Sequence, residues 1–405
     1  MWTGFGDNHK GLLCVLSSSD CRKIHELDAI PPEPVIQIVS NKIATVFLTK
    51  NGLLYSVELG SSYSDVFLKK FNTEKVESLS AGNAHFLAKT KINNVYSWGQ
   101  GTLGQLGQGN MDNLTEPTLI PFFNDKHVES CSAIYSSSFV LLSNKELYSF
   151  GHGHNGELAN GSTSEINTPL PIQEEVTQLF GGIGHHFFAR YDNGEIRCWG
   201  KNDKGQLGVG NKKNRYEPVK NKFLTKKNLC HIIVGGEVTL AITKKGELYT
   251  CGIGRNNGQP KMLTSFKINK YFKKMKIVNG SVGDNFAIVL TDMGELYGFG
   301  KKMEGFGQKT DIVKIPIDLT PRTKVLQMES GFCYSCYLQI ENTSLNVVPK
   351  SENDVRIIEM NKSRYEPILQ ISEERKNGGN LKLTEEERKN AILRLSNLTK
   401  KSGNN

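Results

Sequence analysis

The sequence predicts an all-β protein, a seven-bladed β-propeller of about 50-residue repeats with a C-terminal helical tail. The first observation behind this prediction is a short apolar run closed by glycine, which recurs seven times along the chain. The seven closing glycines are Gly6, Gly60, Gly99, Gly151, Gly200, Gly252 and Gly300. The second observation is a segment of small residues with an apolar end that alternates with these runs. One such unit is a four-stranded sheet that cannot cover both of its own faces, so neighbouring units must stack radially.

The clearest copy of the glycine motif is VYSWGQGTLGQLGQGN at Val95–Asn110. The large side chain before the first glycine, Trp98, suits a core between blades, and the later glycines permit positive φ in tight turns. Leu147–Ser162 and Ile196–Asn211 follow the same pattern, whereas Leu54–Gly60 is an eroded copy. The eroded copy has either drifted without constraint or been reshaped to meet a partner.

The two ends of the repeat array complement each other. Trp2–Leu13 is a glycine-motif strand with no small-residue strand before it, and Val325–Leu338 is a small-residue strand with no glycine motif after it. We therefore expect the N-terminal strand to pair in the same blade as the last repeat, which removes the open edges of the ring. The propeller is predicted to span residues 1–339, followed by a polar tail at 340–405.

A helix is predicted within the tail, at about 384–399, because Thr384-Glu385-Glu386-Glu387 forms a capping box. Four apolar residues form one stripe of this helix. They are Ala391, Ile392, Leu395 and Leu398. The stripe either packs on the propeller's own side or docks into a partner.

Composition limits the class and location of the protein. The formal net charge is +9, and no apolar run reaches the length of about 18 residues that a membrane helix needs. No signal peptide is expected, because Met1-Trp2 leads directly into a repeat copy. Eight cysteines indicate a reducing compartment, hence an intracellular location, cytoplasmic and/or nuclear. Cys333-x-x-Cys336 is not expected to bind zinc, because residues three apart on a strand face opposite sides and no second pair accompanies them.

Basic residues concentrate in two segments, Lys201–Lys227 and Lys261–Lys276. Both segments follow the glycine motif of adjacent copies, so we expect them to lie near each other on one side of the ring. They are either solvated, flexible loops or a positive patch for acidic or phosphate-bearing partners. The residues of this predicted patch are Lys201, Lys204, Lys212, Lys213, Arg215, Lys220, Lys222, Lys226, Lys227, Lys261, Lys267, Lys270, Lys273, Lys274 and Lys276.

No covalent catalytic site, metal or cofactor is predicted. Strings such as Gly99–Gly104 resemble a dinucleotide fingerprint, but they precede turns rather than helices. His85, His185 and His186 stand at or beside one repeat position, and their spread along the chain favours local hydrogen bonding within blades over a metal cluster. The propeller is expected to be monomeric.

The glycine motifs and small-residue strands quoted above resemble the repeats of the regulator of chromosome condensation family, and in particular its small single-propeller members. The resemblance implies a seven-bladed propeller and two possible functions. One is a non-catalytic protein-interaction platform. The other is a guanine-nucleotide exchange factor for a Ran-like small GTPase, which displaces nucleotide and magnesium without covalent chemistry.

Exchange of that kind implies acidic contacts on one face of the propeller, for which Asp192, Asp284 and Asp292 are the candidates. The sequence departs from the founding exchange factor, because no repeat is long enough for an obvious large insert and the repeats begin at Trp2 without a basic arm. The interaction platform is therefore the favoured prediction, and exchange activity is the alternative.

Overall fold

The computed structural model describes residues 2–6, 21–26, 31–59, 66–253, 258, 261–283, 286–300, 312–315, 323–330 and 336–342. The chain divides into two compact units, Met1–Asn342 and Thr343–Asn405. The predicted tail helix, with Ala391, Ile392, Leu395 and Leu398, lies outside the described residues.

Seven four-stranded antiparallel sheets occur in the described part of the chain, and six of them are built from consecutive strands. Sheet 1 contains β3 (Val35–Ser40), β4 (Thr45–Thr49), β5 (Leu54–Leu59) and β6 (Val66–Lys70). Sheet 2 contains β7 (Val76–Ala81), β8 (His85–Thr90), β9 (Val95–Gly99) and β10 (Leu114–Leu119). Sheet 3 contains β11 (Val128–Ile134), β12 (Ser137–Leu142), β13 (Leu147–Gly151) and β14 (Ile166–Gln173).

Sheet 4 contains β15 (Val176–Phe180), β16 (His186–Tyr191), β17 (Ile196–Gly200) and β18 (Arg215–Lys220). Sheet 5 contains β19 (Leu229–Val234), β20 (Val238–Thr243), β21 (Leu248–Gly252) and β22 (Leu263–Ile268). Sheet 6 contains β23 (Ile277–Val282), β24 (Phe286–Thr291), β25 (Leu296–Gly300) and β26 (Ile312–Lys314). The eroded copy thus still supplies a strand, β5, to a complete sheet.

The remaining sheet joins strands from both ends of the first unit, in the order β2-β1-β28-β27. Its strands are β1 (Trp2–Gly6), β2 (Cys21–Glu26), β27 (Thr323–Ser330) and β28 (Cys336–Asn342). β1 pairs antiparallel with β28, with Thr3 opposite Leu338. We call this the terminal sheet.

The first strands of successive sheets lie next to one another. β3 contacts β7, β7 contacts β11, β15 contacts β19, β19 contacts β23, and β27 contacts both β23 and β3. The second strands β8, β12, β20 and β24 are buried at every position, as strands covered on both sides must be. The fold is therefore an all-β propeller whose first strands lie innermost.

In sheets 2 to 6 the residue before the closing glycine packs between sheets, as the sequence predicts. Trp98 stacks on Phe86 of its own sheet at 5.1 Å and belongs to a core cluster with Val46 and Leu54 of sheet 1. Cys251 occupies the equivalent position in sheet 5, where it is buried in the cluster between sheets 4 and 5. Burying each of the larger side chains stabilises the fold by about 1.5–3 kcal/mol.

The sheets present two kinds of end. We call one the loop face; it carries the glycine-rich loops 100–113, 152–165 and 201–214, between the third and fourth strands. We call the other the turn face; it carries the turns between second and third strands and the connections to the next sheet. Backbone hydrogen bonds join neighbouring sheets at both faces. Asn83 N–H donates to the Tyr135 carbonyl on the loop face, and Ile277 N–H donates to the Gly246 carbonyl on the turn face.

Glycine is required where a loop lies against the next sheet. Gly104 has φ of +77°, and a Cβ there would lie 2.7 Å from the Ile166 carbonyl oxygen of sheet 3. The described residues also include a short α-helix, α1 (Lys222–Thr225), and 3₁₀ turns at Pro121–Phe123 and Tyr271–Lys274. No helix in the described ranges has the length and apolar character needed to cross a membrane.

Candidate functional site

The structure divides the predicted basic patch between the two faces. Lys201, Lys204, Lys212 and Lys213 lie in a loop of the loop face, whereas Lys222, Lys226 and Lys227 lie in the connection 221–228 on the turn face. The prediction that all these residues share one side of the ring is wrong, because β18 runs between the two groups. Its six residues span about 20 Å. β22 separates Lys261 from Lys270 and the lysines after it in the same way.

One carboxylate offsets part of the positive charge of the loop-face members, and other members of the predicted patch are held by local contacts. Asp203 lies 3.8 Å from the Lys201 ammonium and 3.0 Å from that of Lys204, and its hydrogen bond raises the pKa of Lys204. The Arg215 guanidinium donates to the backbone carbonyl of Lys213 at 2.9 Å. Lys220, at the turn-face end of β18, forms an ion pair with Glu195.

The turn face of sheets 4 to 6 carries the denser charge. Eight exposed lysines come from two connections and one hairpin turn, and we call them the lysine sector. They are Lys222, Lys226, Lys244, Lys245, Lys270, Lys273, Lys274 and Lys276. Among the residues that the structure describes, none of the eight has a carboxylate within 4.0 Å. Lys244 and Lys245 are absent from the sequence-predicted patch, because the sequence identified them only as part of a hairpin turn.

Local structure explains why these lysines point outward. The Asn221 side chain caps α1 by accepting from Leu224 N–H at 2.9 Å, and Leu224 is fully buried. Asn269 accepts from Tyr271 N–H at 3.1 Å in the next connection, where Phe272 is the buried anchor. Each connection thus buries one apolar residue under a turn stabilised by an asparagine side chain, which leaves the flanking lysines on the outside.

Two exposed apolar side chains accompany the lysine sector. Met293 is 82% exposed and Tyr271 is 50% exposed. Tyr271 rests edge-on against Phe272 at a ring distance of 5.0 Å. Lys227 is different from its neighbours, because its ammonium lies 4.5 Å from the centre of the Tyr249 ring and donates to the Tyr249 hydroxyl at 2.9 Å. Its contacts are structural, so it is not part of the sector.

The two predicted acidic contacts that the structure describes, Asp192 and Asp292, do not lie in one cluster. Asp192 pairs with Lys145 of sheet 3 at 2.6 Å. Asp292 is exposed on the turn face beside Lys276, whose carbonyl accepts from the Asp292 N–H at 2.9 Å. Sheet 5 lies between these two aspartates, and Asp284 lies outside the described residues.

Two of the three predicted histidines form the same relay between neighbouring sheets. His186 Nε2 lies 2.7 Å from Thr239 Oγ1, and that hydroxyl donates to the Gln206 carbonyl at 2.7 Å. Since the hydroxyl proton is committed to Gln206, Nε2–H of His186 must be the donor. His85 repeats this arrangement with Ser138 and the carbonyl of Gln105.

The prediction of local histidine bonding within blades is wrong in one respect, because these bonds cross from one sheet to the next. Burial lowers the pKa of both His85 and His186 to about 3. His185 is separate from this relay: it lies on the loop face with its Nδ1 2.7 Å from a carboxylate oxygen of Glu157.

The sequence itself identifies the repeat. The regulator of chromosome condensation (RCC1) repeat matches residues 93–141 and 193–242, and a second description of the same repeat matches 76–105 and 176–206. The chain is an RCC1-like propeller. Six of the eight sector lysines lie outside the matched residues.

Curated relatives of this RCC1-like propeller share parts of its length. The ultraviolet-B receptor UVR8 of Arabidopsis thaliana is 34% identical over 187 residues, which are 45% of this chain and 42% of the receptor. The E3 ubiquitin-protein ligase HERC2 of Homo sapiens is 28% identical over 285 residues, 66% of this chain but 6% of the ligase. The chain thus spans less than half the length of these relatives.

Solved structures share the fold. Prp20p, the RCC1 protein of Saccharomyces cerevisiae, superposes with a TM-score of 0.74 at 15% identity and covers 89% of this chain and 94% of its own. Human WBSCR16 superposes with a TM-score of 0.70 at 16% identity, covering 84% and 99%. At these identities the likeness shows the fold of the RCC1-like propeller.

Proposed function

We propose that this RCC1-like propeller is a non-catalytic protein-interaction platform whose lysine sector binds an acidic segment of a partner protein. The observation that carries the proposal is the set of eight exposed lysines without acidic partners among the described residues. They come from separate segments of sheets 4 to 6 but share one face. Exposed Tyr271 and Met293 offer apolar contacts within it, as the centre of a protein interface requires.

The charge of the lysine sector favours fast association that weakens as the salt concentration rises. Clustered like charges raise the local potential and steer an acidic partner toward this face. Each exposed ion pair contributes only about 0.2–1 kcal/mol, so the affinity must come from several pairs together with the apolar contacts. Screening at physiological salt, where the Debye length is about 8 Å, should weaken the interaction strongly.

The test uses charge reversal on each face. The full chain is titrated against a fluorescein-labelled peptide of alternating glutamates and leucines, and binding is followed by anisotropy at two salt concentrations. Lys245→Glu/Lys273→Glu/Lys274→Glu should weaken binding about tenfold or more, from the pair energies above. The matched control, Lys204→Glu/Lys212→Glu/Lys213→Glu, makes the same charge change on the loop face and should retain binding.

Equal losses in the two triple variants would contradict the proposal, since net charge rather than the lysine sector would then control binding. A single-stranded DNA oligonucleotide that binds far more tightly than the peptide would also contradict it, because the partner would then be nucleic acid.

Guanine-nucleotide exchange is the second candidate function. It is favoured by the structural likeness to Prp20p, which was described together with its binding to Gsp1p and histones. The assay is release of fluorescent GDP from a Ran-type GTPase with and without the full chain. The platform proposal expects no acceleration. A hundredfold acceleration, lost on neutralising Asp192, Asp284 and Asp292, would establish exchange instead.

We further propose that residues 1–339 close as a single seven-bladed ring and that a helix at about 384–399 in the tail docks on it or on a partner. The pairing of β1 with β28 in the terminal sheet supports ring closure. Deleting residues 1–6 should then lower the unfolding temperature of the whole propeller by circular dichroism. An unchanged unfolding temperature would contradict closure by this strand.

An intracellular location is part of the proposal, supported by the free thiols of Cys131, Cys198, Cys230 and Cys251.

A further inference from the structure

One loop of the loop face holds a buried carboxylate surrounded by imidazoles. The Glu157 side chain has no exposed surface, and its Oε1 lies 3.1 Å from His152 Nδ1 and 2.7 Å from His185 Nδ1. These three atoms all lie within 4.8 Å of one another. The two imidazoles keep some contact with solvent, with side chains 16% and 19% exposed.

The cluster comes from substitutions within the repeat. Glu157 stands where the neighbouring loops have Gln105 and Gln206, and in all three the side-chain oxygen accepts from the amide two residues earlier. A glutamine is therefore sufficient for the shape of this loop. Only the loop with the carboxylate also has a histidine directly after its closing glycine, His152, and a histidine facing it from the next sheet, His185.

The carboxylate is a buried negative charge. Its oxygens are enclosed by hydrogen-bonding groups: Oε2 accepts from the Asn155 N–H at 2.6 Å, and Oε1 accepts from the Asn155 side-chain amide at 2.8 Å besides facing both imidazoles. A buried carboxylate is costly unless a cation neutralises it, and at this position the cation is either a protonated imidazole or a bound metal ion.

We propose that His152, Glu157 and His185 form a binding site for a divalent transition-metal ion of the zinc class. The ion would take Nδ1 of both imidazoles and Oε1 of the carboxylate, with water in a fourth, solvent-facing position. Two histidines and a carboxylate with one open position are a familiar zinc donor set. Tetrahedral bonds of about 2.0–2.2 Å place ligand atoms roughly 3.3–3.6 Å apart. Oε1 and His185 Nδ1, which are 2.7 Å apart, must therefore separate by roughly 0.6 Å or more when the ion binds.

A third histidine, His154, allows His152 to change its tautomer when the ion binds. His154 Nδ1 lies 2.8 Å from His152 Nε2. With the ion on Nδ1, His152 carries its proton on Nε2 and donates it to His154 Nδ1, which orients the ring as an outer partner orients a zinc-bound histidine. His152 binds without net release of a proton if it is neutral beforehand.

The ion would link two sheets. His152 and Glu157 come from the loop between β13 and β14, and His185 precedes β16 of sheet 4. Trp199 of sheet 4 already donates its indole N–H to the Glu157 carbonyl at 2.8 Å. Binding of the ion to the folded state alone must raise the unfolding temperature.

The test is zinc titration of the chelator-treated full chain by calorimetry, with unfolding temperature as a second readout. We expect one ion bound with micromolar or tighter affinity and a higher unfolding temperature. Glu157→Gln keeps the loop's hydrogen bond, as Gln105 and Gln206 show, and His185→Ala removes one ligand. Each should weaken binding at least thirtyfold. The matched control is His231→Ala, an exposed histidine of β19, which should bind zinc within twofold of the parent.

Circular dichroism without metal shows whether each variant is folded, so a loss of binding can be separated from a loss of structure. Zinc binding that persists in Glu157→Gln would overturn the proposal, since cysteine thiolates or surface groups would then hold the ion. Absence of binding at or below 100 micromolar zinc in the parent chain would overturn it as well.

Discussion

The His186 relay makes stability depend on pH in a direction that can be measured. Its Nε2–H donates to Thr239, while its Nδ1 is buried without a hydrogen-bond partner among the described residues. A second proton would therefore sit on a buried nitrogen with no acceptor, and burial accordingly lowers the pKa to about 3. The perturbation is His186→Gln, which keeps a donor at this position and removes the titratable group.

The direction of the pH dependence follows from the difference between the pKa of His186 in the folded chain and in the unfolded chain. The unfolded chain takes up this proton near the ordinary pKa of about 6.5, and the folded chain does so only near 3. The contribution is therefore complete above about pH 6.5 and is lost progressively as the pH falls toward 3. Between pH 7 and pH 5 the loss amounts to about 2 kcal/mol for this one histidine.

The assay is urea unfolding of the parent and His186→Gln at both pH values. The variant should be less stable at pH 7 by about 1–3 kcal/mol, because the buried relay is perturbed. Its stability should fall by about 2 kcal/mol less than that of the parent between pH 7 and pH 5. His231→Gln, at an exposed site, should follow the parent. Equal pH dependence in parent and His186→Gln would refute the assigned tautomer and burial.

Three further substitutions probe contacts between sheets, and a fourth, Gly194→Ala, is the control for one of them. Trp199→Phe keeps the ring stacked on Phe187 but leaves the buried Glu157 carbonyl without its indole donor, so urea unfolding should show a loss of about 1–3 kcal/mol. Gly104 and Gly194 have similar positive φ angles, +77° and +79°. A Cβ at Gly104 would lie 2.7 Å from the Ile166 carbonyl oxygen, whereas a Cβ at Gly194 would meet open space. Gly194→Ala should cost about 1–2 kcal/mol and Gly104→Ala clearly more, and equal unfolding midpoints would contradict the clash. Asp192→Ala removes an exposed ion pair and should change stability by less than about 1 kcal/mol, so a larger loss would mean that this pair is not solvated.

The repeat pattern alone predicted the all-β propeller and much of its core. Turn glycines and strand alternation are local signals, because each acts through the backbone of its own few residues. Trp98 and Trp199 could likewise be placed between sheets, since every copy has a large or apolar residue before the closing glycine. Even the eroded copy supplies the third strand, β5, of a complete sheet, sheet 1.

The surface and the candidate metal site depended on the tertiary structure. Two lysines that are close in sequence lie on opposite faces when one strand runs between them. β18 and β22 divide the two basic segments Lys201–Lys227 and Lys261–Lys276 in this way. Lys245 and Lys273 share a face only because sheets 5 and 6 pack side by side. His185 is 28 residues from Glu157 and reaches it because neighbouring sheets stack around the ring. Contacts of this kind are determined by packing between repeats, which no local pattern encodes.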